Sequence, residues 1–191
     1  MNIGRELWGS FAWHILHSFS INNNYKISNN KKHNYYIFYT SFIYILPCLI
    51  CSEHYSDIIY NINELNEDDI NRQYLMKWVF NAHNIVNKIL HKPKYSYNNC
   101  IKKHKITNHK EIYTFMSIVL NNFNFEKMSL YKFDQIYNFF INFCLLYPEL
   151  SIKKDLKKII NSESFKNIHT PLEFHDWIIN NLINIKKIMI K

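Results

Sequence analysis

Trp78-Val79-Phe80-Asn81-Ala82-His83-Asn84-Ile85-Val86-Asn87-Lys88-Ile89-Leu90-His91-Lys92-Pro93 is the stretch on which the reading of the fold turns. Its apolar residues recur at helical spacing and Pro93 stops them, while the acidic loop at residues 63–71 supplies caps, so one long helix is expected over residues 70–91. On that helix His83, Asn87 and Leu90 fall at i, i+4 and i+7, with Asn84 and Lys88 one position round and Trp78 at the border. Comparable periodicity marks residues 4–20, 34–46, 48–62, 110–122, 129–147, 152–161 and 171–190, with no strand-like alternation. The fold class expected is therefore all-α: a four-helix bundle in residues 1–100, then a second α-helical domain in residues 101–191.

Upstream of the long helix lies Cys48-Leu49-Ile50-Cys51, preceded by Pro47 and followed by His54. A C-x-x-C pair is a redox centre or half of a metal site. Redox exchange needs an accessible thiolate and a resolving thiol within a turn, and a cysteine at a helix start gains thiolate character from the helix dipole. A zinc site at Cys48 and Cys51 in a helical interaction module is the competing reading, although no second C-x-x-C stands at zinc-finger spacing.

Composition narrows the chemistry further. The chain has 191 residues, 48% hydrophobic and 17% aromatic, enough for a sizeable core. It has two glycines, Gly4 and Gly9, which excludes the glycine-rich phosphate loops of Rossmann and P-loop proteins. The net charge of +8 is uneven, with 9 basic against 7 acidic residues in 1–100 and 14 against 8 in 101–191. The lysine clusters of the second half are read as solvated helix faces rather than a nucleic-acid surface, because no recognition motif accompanies them. No secretory signal opens the sequence. Residues 35–51 are short against the roughly 20 residues of a membrane span, so a buried core helix is expected there.

Three blocks in order resemble the Erv/ALR family of FAD-linked sulfhydryl oxidases. Trp8-Gly9-Ser10-Phe11-Ala12-Trp13-His14-Ile15-Leu16-His17-Ser18 is similar to the family's WGRxxWxxLHT opening, and Pro47-Cys48-Leu49-Ile50-Cys51-Ser52-Glu53-His54-Tyr55 to its PCxxCAxHF centre. Residues 78–95 are similar to its WxxxxHNxVNxxLxKPxF segment. The resemblance covers residues 4–100 and implies a small helical bundle holding FAD, with a Cys48–Cys51 disulfide against the flavin ring. It implies that Cys48 exchanges with substrate protein dithiols, that Cys51 faces the flavin, and that electrons end on oxygen as hydrogen peroxide. Gly9, Ser10, Trp13, His17 and His54 match residues that line the cofactor. Trp78, His83, Asn84, Val86, Asn87, Lys88, Lys92 and Tyr95 match residues that hold its adenine, ribose and pyrophosphate. Aromatic faces suit stacking on flavin or adenine, and Lys88 and Lys92 suit the pyrophosphate charge.

The sequence also departs from the pattern. Ser10 stands where the family has arginine, Leu46 replaces an aromatic residue, and Tyr97 stands where a cysteine is usual, with Cys100 three residues on. Cys100 and Cys144 are left to pair with each other or to stay free. The resemblance further implies a homodimer and allows a thioredoxin-like relay partner. The Asn-, Lys- and Ile-rich composition fits an AT-rich genome, and helical extensions occur on members from large DNA viruses. A host cytoplasm or virion is the location expected, with the mitochondrial intermembrane space as the alternative.

Overall fold

Leu46 and Pro47 break the first half of the chain where the chemistry sits. A proline disfavours helical backbone in the residue before it, and Leu46 is accordingly extended, at φ −66° and ψ 125°. The computed structural model describes residues 4–23 and 27–190, and among these there are ten α-helices and no strand. Helices α1 (Arg5–Ile21), α2 (Asn29–Ile45), α3 (Leu49–Asp57) and α4 (Arg72–Ile89) form the first group; a π-helical turn, Ile58–Ile62, prolongs α3. A short α5 (Tyr97–His104) follows, then α6 (His109–Asn122), α7 (Leu130–Leu146), α8 (Leu150–Ile160), α9 (Glu163–Lys166) and α10 (Pro171–Met189).

Local chemistry sets these boundaries. Asn71 caps α4 by accepting from the Tyr74 N–H, and Ser96 caps α5 by accepting from the Asn99 N–H. Thr170 and Glu173 form a reciprocal capping box at α10, with Pro171 at the first helical position. Helix α2 starts earlier than its apolar pattern suggests. Its first turn, Asn29 to Lys32, is mostly exposed and rides on the buried Tyr35, Phe38, Tyr39 and Phe42.

Helix α1 lies against α4 and α5 on one side and α6 on another, while α2 runs along α7. Stacked rings link these layers: Phe19 on Phe38 at 4.6 Å, Phe38 on Phe139 at 5.3 Å, and Phe42 on Phe115 at 5.8 Å. Burying each phenylalanine is worth about 1.5–3 kcal/mol. The core is thus continuous across residue 100, and the domain boundary expected there falls inside α5. A second aromatic cluster, Phe140, Phe165, Phe174 and Trp177, holds α7, α9 and α10 together. Among the described residues no helix is long and apolar enough to cross a membrane. Residues 35–51 are instead a core helix and the start of the redox turn.

Candidate active site

Cys48 and Cys51 form a disulfide at the start of α3, with Cα atoms 5.2 Å apart. Cys48 is the N-cap, and its sulfur accepts from the Cys51 backbone N–H at 3.3 Å. After reduction, this position at the positive end of the helix favours the Cys48 thiolate. The two sulfurs serve different openings. Cys51 lines a cavity of about 460 Å³ between α1, α3, α4 and α5, whereas Cys48 lines a separate groove with Tyr44, Pro47, Leu49, Phe123 and Lys132.

The cavity has the size of a cofactor site, about 300–1,000 Å³. Helix α1 contributes Gly9, Ser10 and Trp13, α3 contributes His54, and α4 contributes His83, Val86 and Asn87. Lys92 and Tyr95 close it from the segment after α4. Trp13 and His83 stack face to face, with ring centres 4.1 Å apart and planes 3° from parallel. A Cβ built on Gly9 meets no atom within 4 Å, so this helical glycine leaves a space that the protein itself does not fill.

Charge and protonation suit an anionic, aromatic ligand. Arg5, Lys92, Lys94 and Lys103 border the cavity with Glu6 as the one carboxylate among its lining residues. Burial, reinforced by Lys103 and Lys92, lowers His83 to about 4. Burial, then His14 and Lys103, lowers His104 to about 3. His17 is held well below its ordinary value by burial and by the neighbouring rings. All three imidazoles are therefore neutral near pH 7 and act as hydrogen-bonding groups rather than cations. Aromatic faces, amide and imidazole partners, a cationic border and the space at Gly9 fit a flavin dinucleotide.

Four of the residues expected at the cofactor are placed differently. Trp78 does not line the cavity. It is 3% exposed, donates its indole N–H to the Asn63 carbonyl at 2.6 Å, and packs edge-on to Tyr39 and Tyr55, so it serves the core. Asn84 grips the Tyr95 backbone, donating from Nδ2 to its carbonyl at 3.2 Å and accepting its N–H at 2.7 Å. It positions Tyr95 instead of lining the cavity. Lys88 is exposed on α4, away from the cavity lining. His17 lies behind the wall, bonded through Nε2 to His83 Nδ1 at 2.9 Å.

Conversely, Arg5, Trp8, Lys94, Lys103 and His104 line the cavity without having been picked out as site residues. Lys103 and His104 belong to a basic run that looks like a solvated face, and only the folding of α5 against α1 buries His104 and brings the exposed Lys103 to the cavity rim. Arg5 brings a guanidinium to the cavity in which Ser10 stands at the family's arginine position. Cys100 and Cys144 are both unpaired and buried.

Comparison with known proteins agrees with this geometry. Residues 10–107 match the model of the Erv1 / Alr family. Protein R368 of Acanthamoeba polyphaga mimivirus, named as a FAD-linked sulfhydryl oxidase, is 30% identical over 97 residues, covering 51% of this chain and 68% of the relative. Protein 096R of Invertebrate iridescent virus 3, named likewise, is 29% identical over 106 residues, covering 56% and 71%. No solved structure matches at a significant level. With its paired cysteines at a helix start beside a cofactor-sized cavity, and with the match spanning half its length, the chain belongs to the Erv1/Alr family.

Proposed function

We propose that this chain, a FAD-linked thiol oxidase, makes disulfides in substrate proteins by passing electrons from their dithiols through Cys48 and Cys51 to the flavin and on to oxygen. The observation that carries this reading is the placement of one disulfide between two openings, with Cys48 on a groove and Cys51 on the cavity. A substrate thiolate attacks Cys48 Sγ, the Cys48–Cys51 bond breaks, and Cys51 leaves as thiolate facing the cavity. The second substrate thiol then attacks the mixed disulfide, which releases an oxidised substrate and leaves two electrons on the Cys48–Cys51 pair. Bound FAD supplies the two-electron acceptor that restores the disulfide and yields hydrogen peroxide with oxygen.

The protein's own residues divide the remaining work. Trp13 and Tyr95 offer aromatic faces, Asn87, His54 and Ser10 offer hydrogen bonds, and Lys92 with Arg5 balances pyrophosphate charge. His17 and Asn84 hold His83 and Tyr95 in place. The cofactor-binding unit runs to the end of α5, and the helices from α6 onward form an outer layer that reaches the Cys48 groove through Phe123 and Lys132. The Tyr131 hydroxyl, on α7, stands 2.8 Å from that of Tyr44 beside the same groove. Substrates, whether final proteins or a thioredoxin-like relay, meet both halves of the chain there. A homodimer acting in a host cytoplasm or virion completes the reading.

Trapping tests the order of the two cysteines. Offered a substrate protein whose one cysteine is activated as a thionitrobenzoate disulfide, Cys51→Ser attacks it through the Cys48 thiolate, releases thionitrobenzoate and keeps the substrate as a stable mixed disulfide on non-reducing gels, and Cys48→Ser does not. Equal trapping by both variants, or trapping by Cys48→Ser alone, overturns the assignment.

A further inference from the structure

At the cavity wall made by α1 and α5, with His104 lining the cavity and His17 and Cys100 behind it, the fold brings together side chains that disulfide exchange does not use. His17, Cys100 and His104 are only 1%, 2% and 2% exposed. A ring nitrogen from each histidine and the Cys100 sulfur all lie within 4.8 Å of one another. Cys100 Sγ stands 3.2 Å from His17 Nδ1 and 3.6 Å from its Nε2. A thiolate and an imidazole on one tetrahedral zinc, about 2.3 Å and about 2.0–2.1 Å from the ion, are about 3.5 Å apart. A second observation points to a missing ligand: His104 Nε2 is buried with no hydrogen-bond partner. Buried polar atoms of this kind are rare because desolvation goes uncompensated.

We propose that His17, Cys100 and His104 form a binding site for a zinc-class divalent metal ion that ties α1 to α5 at the back of the cofactor cavity. Thiolate and imidazole donors without a carboxylate or carbonyl select zinc or cobalt over calcium or magnesium. Cys48 and Cys51 are not rival ligands, because the disulfide occupies both sulfurs.

The hydrogen bonds around the cluster match those of a metal centre. The His17 and His104 rings stack at 4.5 Å, so both turn edge-on to take the ion; with His17 Nδ1 on the ion, its Nε2–H faces His83 Nδ1, 2.9 Å away, the outer bond that orients a metal-bound imidazole. His14 Nδ1, 3.1 Å from His104 Nδ1, is the equivalent partner for the second ring. Ligation through His104 Nε2 places a proton on His104 Nδ1, so His14 accepts at Nδ1 and turns its own N–H to Ser18 Oγ, 3.2 Å from Nε2. That shift displaces the Asn108 N–H, which donates to His14 Nε2 at 2.8 Å in the metal-free arrangement. One backbone hydrogen bond is small against zinc binding by a thiolate and two imidazoles. The Cys100 thiol, pushed up to about 12 by burial, gives up its proton to solvent as the sulfur–metal bond forms.

Metal analysis of the purified flavoprotein tests the site without reference to oxidase turnover. Wild type and the Cys48→Ser/Cys51→Ser double variant are expected to carry one zinc per chain, and Cys100→Ser none. Cobalt added to zinc-stripped wild type is expected to give a thiolate-to-cobalt charge-transfer band and ligand-field bands on the red side of the flavin absorption. His14→Ala should weaken zinc binding about 10- to 100-fold, as loss of an outer-shell partner does. Should Cys100→Ser fail to fold, the cobalt spectrum of wild type still decides. Absence of both zinc and the cobalt–thiolate band in wild type, or zinc retained in folded Cys100→Ser, overturns the site and leaves the oxidase reading untouched.

Discussion

Gly9 separates the demands of the fold from those of the cofactor. It is the fifth residue of α1, where glycine is about 0.8–1.0 kcal/mol less favourable than alanine. An added Cβ meets no atom within 4 Å, so Gly9→Ala recovers that helix propensity without a clash in the flavin-free protein. The stripped variant should therefore melt about 2–4 °C above stripped wild type, the shift that about 1 kcal/mol gives in a chain of this size. Gly9→Leu extends into the cavity and should overpack the site by about 1–3 kcal/mol, weakening FAD roughly 5- to 150-fold. Thermal melts of flavin-stripped protein and FAD titrations followed by fluorescence measure the two effects separately. A stripped Gly9→Ala that melts below wild type, or a Gly9→Leu that binds FAD as wild type does, would refute the reasoning that the space at Gly9 belongs to the cofactor.

Other outcomes follow from the buried rings and hydrogen bonds. In the zinc-stripped protein His83 and His104 stay neutral in the fold down to about 4 and about 3, whereas the unfolded chain takes up protons below about 6.5. Stability should then fall as pH drops from about 6.5 toward 4, by up to about 1.4 kcal/mol per unit for each histidine; denaturant midpoints that do not move over this range would contradict the assignment. Asn84→Ala removes both bonds to the Tyr95 backbone and should weaken FAD binding while leaving Cys48–Cys51 chemistry with added free flavin intact; unchanged FAD affinity would show that Tyr95 needs no such support. Phe174, fully buried against Phe133, Phe140 and Trp177, should cost about 3–5 kcal/mol when cut to alanine, and a calorimetric loss under about 1 kcal/mol would show that the outer layer is loosely packed.

The helices and the redox turn were legible because local pattern specifies them. The apolar periodicity of α1, α4, α7 and α10 and the break at Pro47 depend on neighbours in sequence, and the N-cap place of Cys48 follows from that break. Helix α5 escaped notice because Tyr97–His104 is short and polar, and only its cap at Ser96 and the burial of Cys100 and His104 fix it. The histidine cluster was hidden for a related reason. His14 lies on a flank of α1 and His17 matches a cofactor-lining position, and nothing local joins them to His104, 90 residues from His14, until the fold brings it beside them. Trp78 misleads in the other direction, since an indole suited to stacking on a cofactor is equally suited to a core with a carbonyl at hand, and Asn63 supplies that carbonyl. The outer helices show why charge alone is a poor guide to layering. Lysine runs mark their solvated faces, while Phe139 and Phe143 on α7 join the stack of Phe19 and Phe38.

The most direct measurement is the visible spectrum of the purified protein under argon, before and after dithiothreitol, for wild type and Cys51→Ala. A yellow wild type that bleaches on reduction, beside a yellow Cys51→Ala that does not, is the result expected if Cys51 carries electrons from the disulfide to bound FAD. A colourless wild type, or a Cys51→Ala that bleaches as fast as wild type, would contradict it.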